Sequence, residues 1–125
     1  MLGLADVHAL LRAKAGAVAE TPFGPGAIVY KIAGKVFAIV AEREDVRVTL
    51  KCDPVLSEVL RQEYAAISPG YHTDKRHWIT ISQDAALPDA EIGRLIDHSY
   101  DQVRRKLSRA ARAALNDYVG GRSVG

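Results

Sequence analysis

The sequence predicts an α+β domain, an antiparallel sheet with helices packed on one face, and three observations predict it. Amphipathic stretches of helical period open the chain, recur in its middle and fill its last third. Between them lie short runs of β-branched and aromatic residues. Tight polar turns join the first of these runs, which makes neighbouring strands antiparallel, and the order helix, three-strand meander, helix, one or two strands, helices then places the helices on one side. With 125 residues, 48% hydrophobic and 26% charged, the chain suits a single core and departs from disordered, collagen-like and disulfide-stapled compositions. Residues 1–119 read as one domain and the Gly-rich residues 120–125 as a loose tail.

The first segment, Leu4 to Val18, sets Leu4, Val7, Leu10, Leu11 and Val18 near one helical face, with Asp6 in its first turn and Lys14 late. Gly16 and the cluster Thr21-Pro22-Phe23-Gly24-Pro25-Gly26 break helical geometry, since proline lacks a backbone donor and glycine tolerates positive φ. The stretch from Glu20 to Gly26 reads as a structural corner that positions Phe23 on the sheet. Ala27 to Ile32 and Lys35 to Ala41 read as two strands, separated by Ala33-Gly34, a spacing that suits a two-residue hairpin. After a polar turn over Glu42 to Asp45, the run Val46 to Lys51 alternates, with Val46, Val48 and Leu50 inward and Arg47, Thr49 and Lys51 toward solvent.

Asp53-Pro54 is a helix start, because the aspartate can cap free amides and proline at the first helical position gives up no needed bond. Val55, Leu56, Val59 and Leu60 mark its buried stripe, and it ends near Tyr64. Ser68-Pro69-Gly70 reads as a turn and His77 to Ser82 as a further strand. Pro88-Asp89 opens the longest helix, where Ile92, Leu95, Ile96, Ser99, Tyr100, Val103 and Leu107 recur at steps of three and four. Ser108 caps a short last helix from Arg109 to Asp117.

Several function classes recede on composition. The single cysteine, Cys52, has no intramolecular partner, and no signal-like segment opens the chain, which predicts a cytoplasmic setting. Apolar runs such as Val36 to Ala41 are strand-sized, too short for a bilayer helix. The net charge of +2 permits nucleic-acid binding without demanding it.

The residues themselves also carry a resemblance. Glu20-Thr21-Pro22-Phe23-Gly24, then Tyr30-Lys31 with Gly34-Lys35-Val36-Phe37-Ala38, then Leu50-Lys51-Cys52-Asp53-Pro54, then Pro69-Gly70-Tyr71-His72 with Lys75 and His77-Trp78, then Leu95-Ile96-Asp97-His98-Ser99-Tyr100, follow one another along the chain. In these motifs the sequence resembles the MmcQ/YjbR family. The resemblance implies a sandwich similar to CyaY and frataxin and a "double wing" mode of DNA binding.

Three places offer cations to a nucleic acid. Lys31 and Lys35 flank the Ala33-Gly34 hairpin, and Lys51 lies on the basic face of the third strand. His72-Thr73-Asp74-Lys75-Arg76-His77 adds two permanent cations and two imidazoles beside Trp78. Two such projections can set cations against phosphates, whose released counterions drive association; the bland reading is a solvated turn. The third place is the run Arg104, Arg105, Lys106, Arg109 and Arg112, which helix-dipole complementarity already explains in part. Asp97 and Asp101 precede it and can neutralise some of it.

The sequence predicts no catalytic set, no metal site and no cofactor. His72 and His77 with Cys52 lack a fourth tetrahedral ligand, Cys52 reads as a small buried hydrophobe and His98 as a boundary residue. Gly24-Pro25-Gly26 lacks a phosphate-loop pattern, and the scattered acids do not form the ridge that iron binding on a frataxin-like fold would need. The expectation is a monomer that binds nucleic acid, DNA first, through Lys31, Lys35, Lys51, His72, Lys75, Arg76, His77 and Trp78. The alternative is a non-catalytic small-molecule or drug pocket, which the family name's link to mitomycin resistance suggests and in which Tyr71, Trp78, Tyr30 and Phe37 would stack on a ligand.

Overall fold

A computed structural model describes residues 3–42, 46–70, 73–82, 87–116, 118–119 and 122–123. Helix α1 (Leu4–Arg12) opens where the Asp6 carboxylate accepts from Gly3 N–H at 2.9 Å. It is shorter than the periodicity of Leu4 to Val18 predicts. Gly16 takes a left-handed φ of +76°, and the next residues leave the helix as strand β1 (Val18–Glu20). Tertiary pairing overrides the helical pattern here: Val18, Ala19 and Glu20 lie opposite Lys31, Tyr30 and Val29 of β2 (Ala27–Ile32). Phe23, in the loop between them, is 67% exposed.

Strand β3 (Lys35–Ala41) pairs with β2 through a two-residue turn in which Ala33 and Gly34 both have positive φ, +48° and +79°. Such a turn matches the twist of the flanking strands. Strand β4 (Arg47–Lys51) and helix α2 (Pro54–Glu63) follow, and Asp53 Oδ2 caps α2 by accepting from the amides of Val55 at 3.0 Å and Leu56 at 3.2 Å. Ser68-Pro69-Gly70 is not a free turn: Ser68 and Pro69 belong to β5 (Ile67–Pro69), which pairs with β6 (Trp78–Ser82) at the sheet edge, where a proline removes no ladder bond that a neighbour needs. Helix α3 (Asp89–Arg104) and α4 (Arg109–Asn116) complete the layer, with Ser108 Oγ accepting from Ala111 N at 3.1 Å. A small hairpin, β7 (Tyr118–Val119) with β8 (Arg122–Ser123), includes part of the stretch 120–125 that the sequence suggested was a loose tail.

The six-stranded sheet is antiparallel throughout, in the order β1-β2-β3-β4-β6-β5. Tyr30, Ala38, Val40, Val48, Leu50, Ile79, Ile81 and Ile67 share one face by register, and they form the core with Val7 and Leu11 of α1, Leu60 of α2 and Leu95, Ile96, Tyr100 and Val103 of α3. A bulge at Tyr30/Lys31 brings Phe37 into this core, where its ring meets Tyr30 and stands edge-on to Tyr100 at 5.6 Å. The buried side of α2 differs from the predicted stripe: Ser57 and Leu60 are buried, whereas Val55 and Val59 are 71% and 51% exposed. Thr49 is likewise buried, not solvated, and its hydroxyl shares a 2.9 Å hydrogen bond with Thr80 on the neighbouring strand.

Two polar ties fasten helices to the sheet. Ser99 Oγ donates to Phe37 O at 2.5 Å and accepts from Lys51 N at 2.9 Å, which locks α3 across β3 and β4. His8, buried on α1, bonds Tyr30 Oη through Nδ1 at 2.5 Å and Glu42 through Nε2 at 2.6 Å, so one imidazole joins the first helix to the sheet.

Candidate nucleic-acid interface

Register fixes where the cations go. The Ile32–Lys35 pair closes the β2–β3 hairpin at one end of the sheet, and the pairs Lys51–Trp78 and Pro69–Ile79 lie at that same end. The β2–β3 turn and the β5–β6 connection, carriers of the two basic motifs, therefore project in the same direction. The C-terminal half of α3 lies over this end, since His98 Nε2 accepts from Asp53 N at 3.1 Å, and its continuation brings Lys106 close to Lys51.

Lys51 records the crowding of charge. Burial first, then the like charges of Lys106 and Lys35, push its ammonium below the usual lysine range, while Asp74 opposes them. Its Nζ stands 5.7 Å from the centroid of the Trp78 ring, directly across the β4–β6 pair, where a cation–π contact holds it. Both residues point away from the helices, because Leu50 and Ile79 beside them face the core.

The β5–β6 loop is braced by its own hydrogen bonds. Asp74 accepts from Arg76 N at 3.0 Å and pairs with His77 Nδ1 at 2.8 Å, and these two bonds hold its carboxyl below the usual range. Lys75 Nζ donates to Gly70 O at 3.0 Å. Gly70 itself is required by close approach: a Cβ there would fall 2.5 Å from that of Trp78 and 2.1 Å from Thr73 Oγ1. The exposed Arg76 side chain and the exposed Lys75 thus stand on a segment, residues 73–77, tied by these bonds. In the other wing Lys35 is exposed, but Lys31 is paired with Glu20 at 2.8 Å, a partner supplied by the strand that the sequence concealed. His72 and Tyr71 lie outside the described residues.

The remaining titratable candidates are buried or have partners of their own. Cys52 is 1% exposed, and burial ahead of the Asp53 charge raises its thiol to about 11, which leaves it protonated at neutral pH. Burial lowers His98. Asp97 pairs with Lys14 of the loop after α1, and Arg105 bonds Gln102 at 3.3 Å. Tyr30 and Phe37 are fully buried and offer no stacking surface to a ligand. Among the described residues no three His, Cys, Asp or Glu side chains gather as a metal site requires.

Comparison with known proteins gives this architecture a family. The model of the YjbR family matches residues 12–102, from the end of α1 to the last turn of α3. The chain belongs to the YjbR family. The Escherichia coli K12 protein YjbR is 40% identical over 86 residues, which cover 68% of this chain and 73% of that one. The Bacillus subtilis protein YyaQ is 47% identical over 51 residues, 41% of this chain and 42% of its own. Among solved structures, the Deinococcus radiodurans protein DR2400, described by the domain DUF419, superimposes with a TM-score of 0.85 at 29% identity, covering 93% of this chain and 89% of that chain. A Pseudomonas syringae protein shares the fold at a TM-score of 0.71 and 23% identity. Both wings and the Lys51–Trp78 pair fall inside the stretch matched to the YjbR family.

Proposed function

We propose that this YjbR-family protein binds nucleic acid, DNA in the first instance, through the basic end of its sheet, and that it does so by binding alone, without catalysis or a cofactor. The observation that carries the reading is the convergence at one end of the sheet of Lys35, Lys51 and the Lys75-Arg76 loop, with Lys106 and Lys35 adding to the lowering of Lys51 that burial begins. A polyanion relieves that repulsion, which a neutral ligand does not. The two projecting connections suit contact with phosphates on either side of a groove, and Trp78 between them supplies an aromatic face. Lys31 contributes less than its position suggests, since Glu20 already compensates it. A cytoplasmic monomer is the form in which we expect this to operate; no helix among the described residues is long and apolar enough to cross a membrane.

The test is fluorescence anisotropy of a labelled duplex titrated with the protein at several salt concentrations. Phosphate-driven binding weakens linearly on a log–log plot as salt rises. Absence of binding near physiological salt removes the reading. Salt-independent quenching of Trp78 by planar aromatic compounds, with no duplex binding, would transfer the site to the small-molecule alternative.

A further inference from the structure

Beside the second wing, between α2 and the β5–β6 loop, lies an open groove of about 440 Å³. Pro54, Val55 and Pro69 form its apolar side, and this groove accounts for the exposure of Val55 on the first turn of α2. Arg61, Lys75 and Arg76 bring three cations to it, against the single carboxylate of Glu58. Arg61 Nε donates to Ser57 O at 3.3 Å, which steadies the side chain along the helix while the terminal guanidinium N–H groups remain available to a ligand. Lys75 uses one of its three donors on Gly70 O and keeps two.

We propose that this groove is a phosphomonoester site that takes a nucleotide, with the phosphate among Arg61, Lys75 and Arg76 and the sugar and base against Pro54, Val55 and Pro69. A monoester carries close to two charges near neutral pH, against one for each phosphodiester of a strand interior, so it is the better complement to three cations facing one acid. The same chemistry comes from two sources, a free nucleotide or the phosphorylated end of a strand. In the second case the inference rests on the nucleic-acid reading and deepens it, because the protein would then favour ends over duplex interior.

Calorimetric titration with AMP, adenosine and inorganic phosphate tests the site, alongside anisotropy with duplexes that bear a 5′-phosphate or a 5′-hydroxyl. AMP should bind at least about tenfold more tightly than adenosine, and Arg61→Ala or Arg61→Gln should each lose roughly that factor, whereas Arg94→Ala, exposed on α3 outside the groove, should leave AMP binding unchanged. Circular dichroism establishes that both Arg61 variants fold. Binding of AMP without preference for the phosphorylated duplex assigns the groove to free nucleotides, and preference for the phosphorylated duplex, lost with Arg61, assigns it to strand ends. Neither AMP binding nor an end preference, or AMP binding indifferent to Arg61, overturns the proposal. Duplex binding with an inert groove would leave the function proposed above standing, and AMP binding without any duplex binding would sink that function while keeping the groove.

Discussion

Replacing Lys75 and Arg76 by alanine removes the two cations of the β5–β6 wing, and the consequence can be stated as a slope. Each phosphate neutralised on B-DNA contributes about 0.9 to the magnitude of the log-affinity versus log-salt slope, so the double variant should lose about 1.8. Between roughly 50 and 200 mM salt, wild type should then lose about twelvefold more affinity than the variant. The structural cost is small: both side chains are exposed, and Lys75 forfeits one hydrogen bond, to Gly70 O. The contrast variant is Arg109→Ala with Arg112→Ala on α4. Truncation after Leu107 would not serve, because it removes Leu115, which is buried in the core and packs at Gly16. Anisotropy salt titrations of the three proteins, each first shown to melt cooperatively, give the answer. An unchanged slope in the wing variant, with the loss appearing in the α4 variant, would refute the assignment of phosphate contacts to the wing.

Other expectations concern the fold that holds the site. Tyr30→Phe leaves the buried Nδ1 of His8 without its partner and should cost about 1–3 kcal/mol in urea denaturation; a loss below about 0.5 kcal/mol would show that the imidazole tie is not stabilising. Ala33 is a non-glycine residue at φ +48°, which costs backbone energy, so Ala33→Asn, a residue that tolerates left-handed φ, should gain up to about 1 kcal/mol and raise the melting temperature by a few degrees; a drop would show that no such strain is relieved. Because Cys52 is raised from 9.0 to about 11 in the fold, the unfolded chain loses its thiol proton first as pH rises. The Cys52 contribution to stability should therefore fall between about pH 9 and 11, by up to about 2–3 kcal/mol, and Cys52→Ala should make that segment of the pH profile shallower, leaving the part that the raised Tyr30 and Tyr100 contribute, without altering duplex binding.

The local rules that read this chain well are those whose signal is itself local. Ala33-Gly34 between two apolar runs announced the β2–β3 hairpin, and Asp53-Pro54 announced α2 through the cap it makes. Strands β1 and β5 escaped, because Val18–Glu20 and Ile67–Pro69 are three residues each and become strands only by pairing with β2 and β6. The face of α2 was misjudged for a related reason: hydrophobicity pointed to Val55 and Val59, but the helix packs with Ser57 toward the core and leaves those valines outside. At the site, the cations were visible individually, and their convergence was not. It depends on the β3–β4–β6 register, as the compensation of Lys31 depends on a β1 strand that carries Glu20.

In the proposed mode of binding, one end of the sheet, with both wings together, meets the nucleic acid. A heteronuclear NMR titration of the labelled protein with a short duplex tests it most directly. The amides of Lys35, Lys51, Arg76 and His77 and the indole of Trp78 should shift, moving together over the duplex titration, while Gly24, Gly26 and Glu42 at the opposite end stay still. Shifts confined to α4 or to that opposite end, or an unperturbed spectrum, would contradict it.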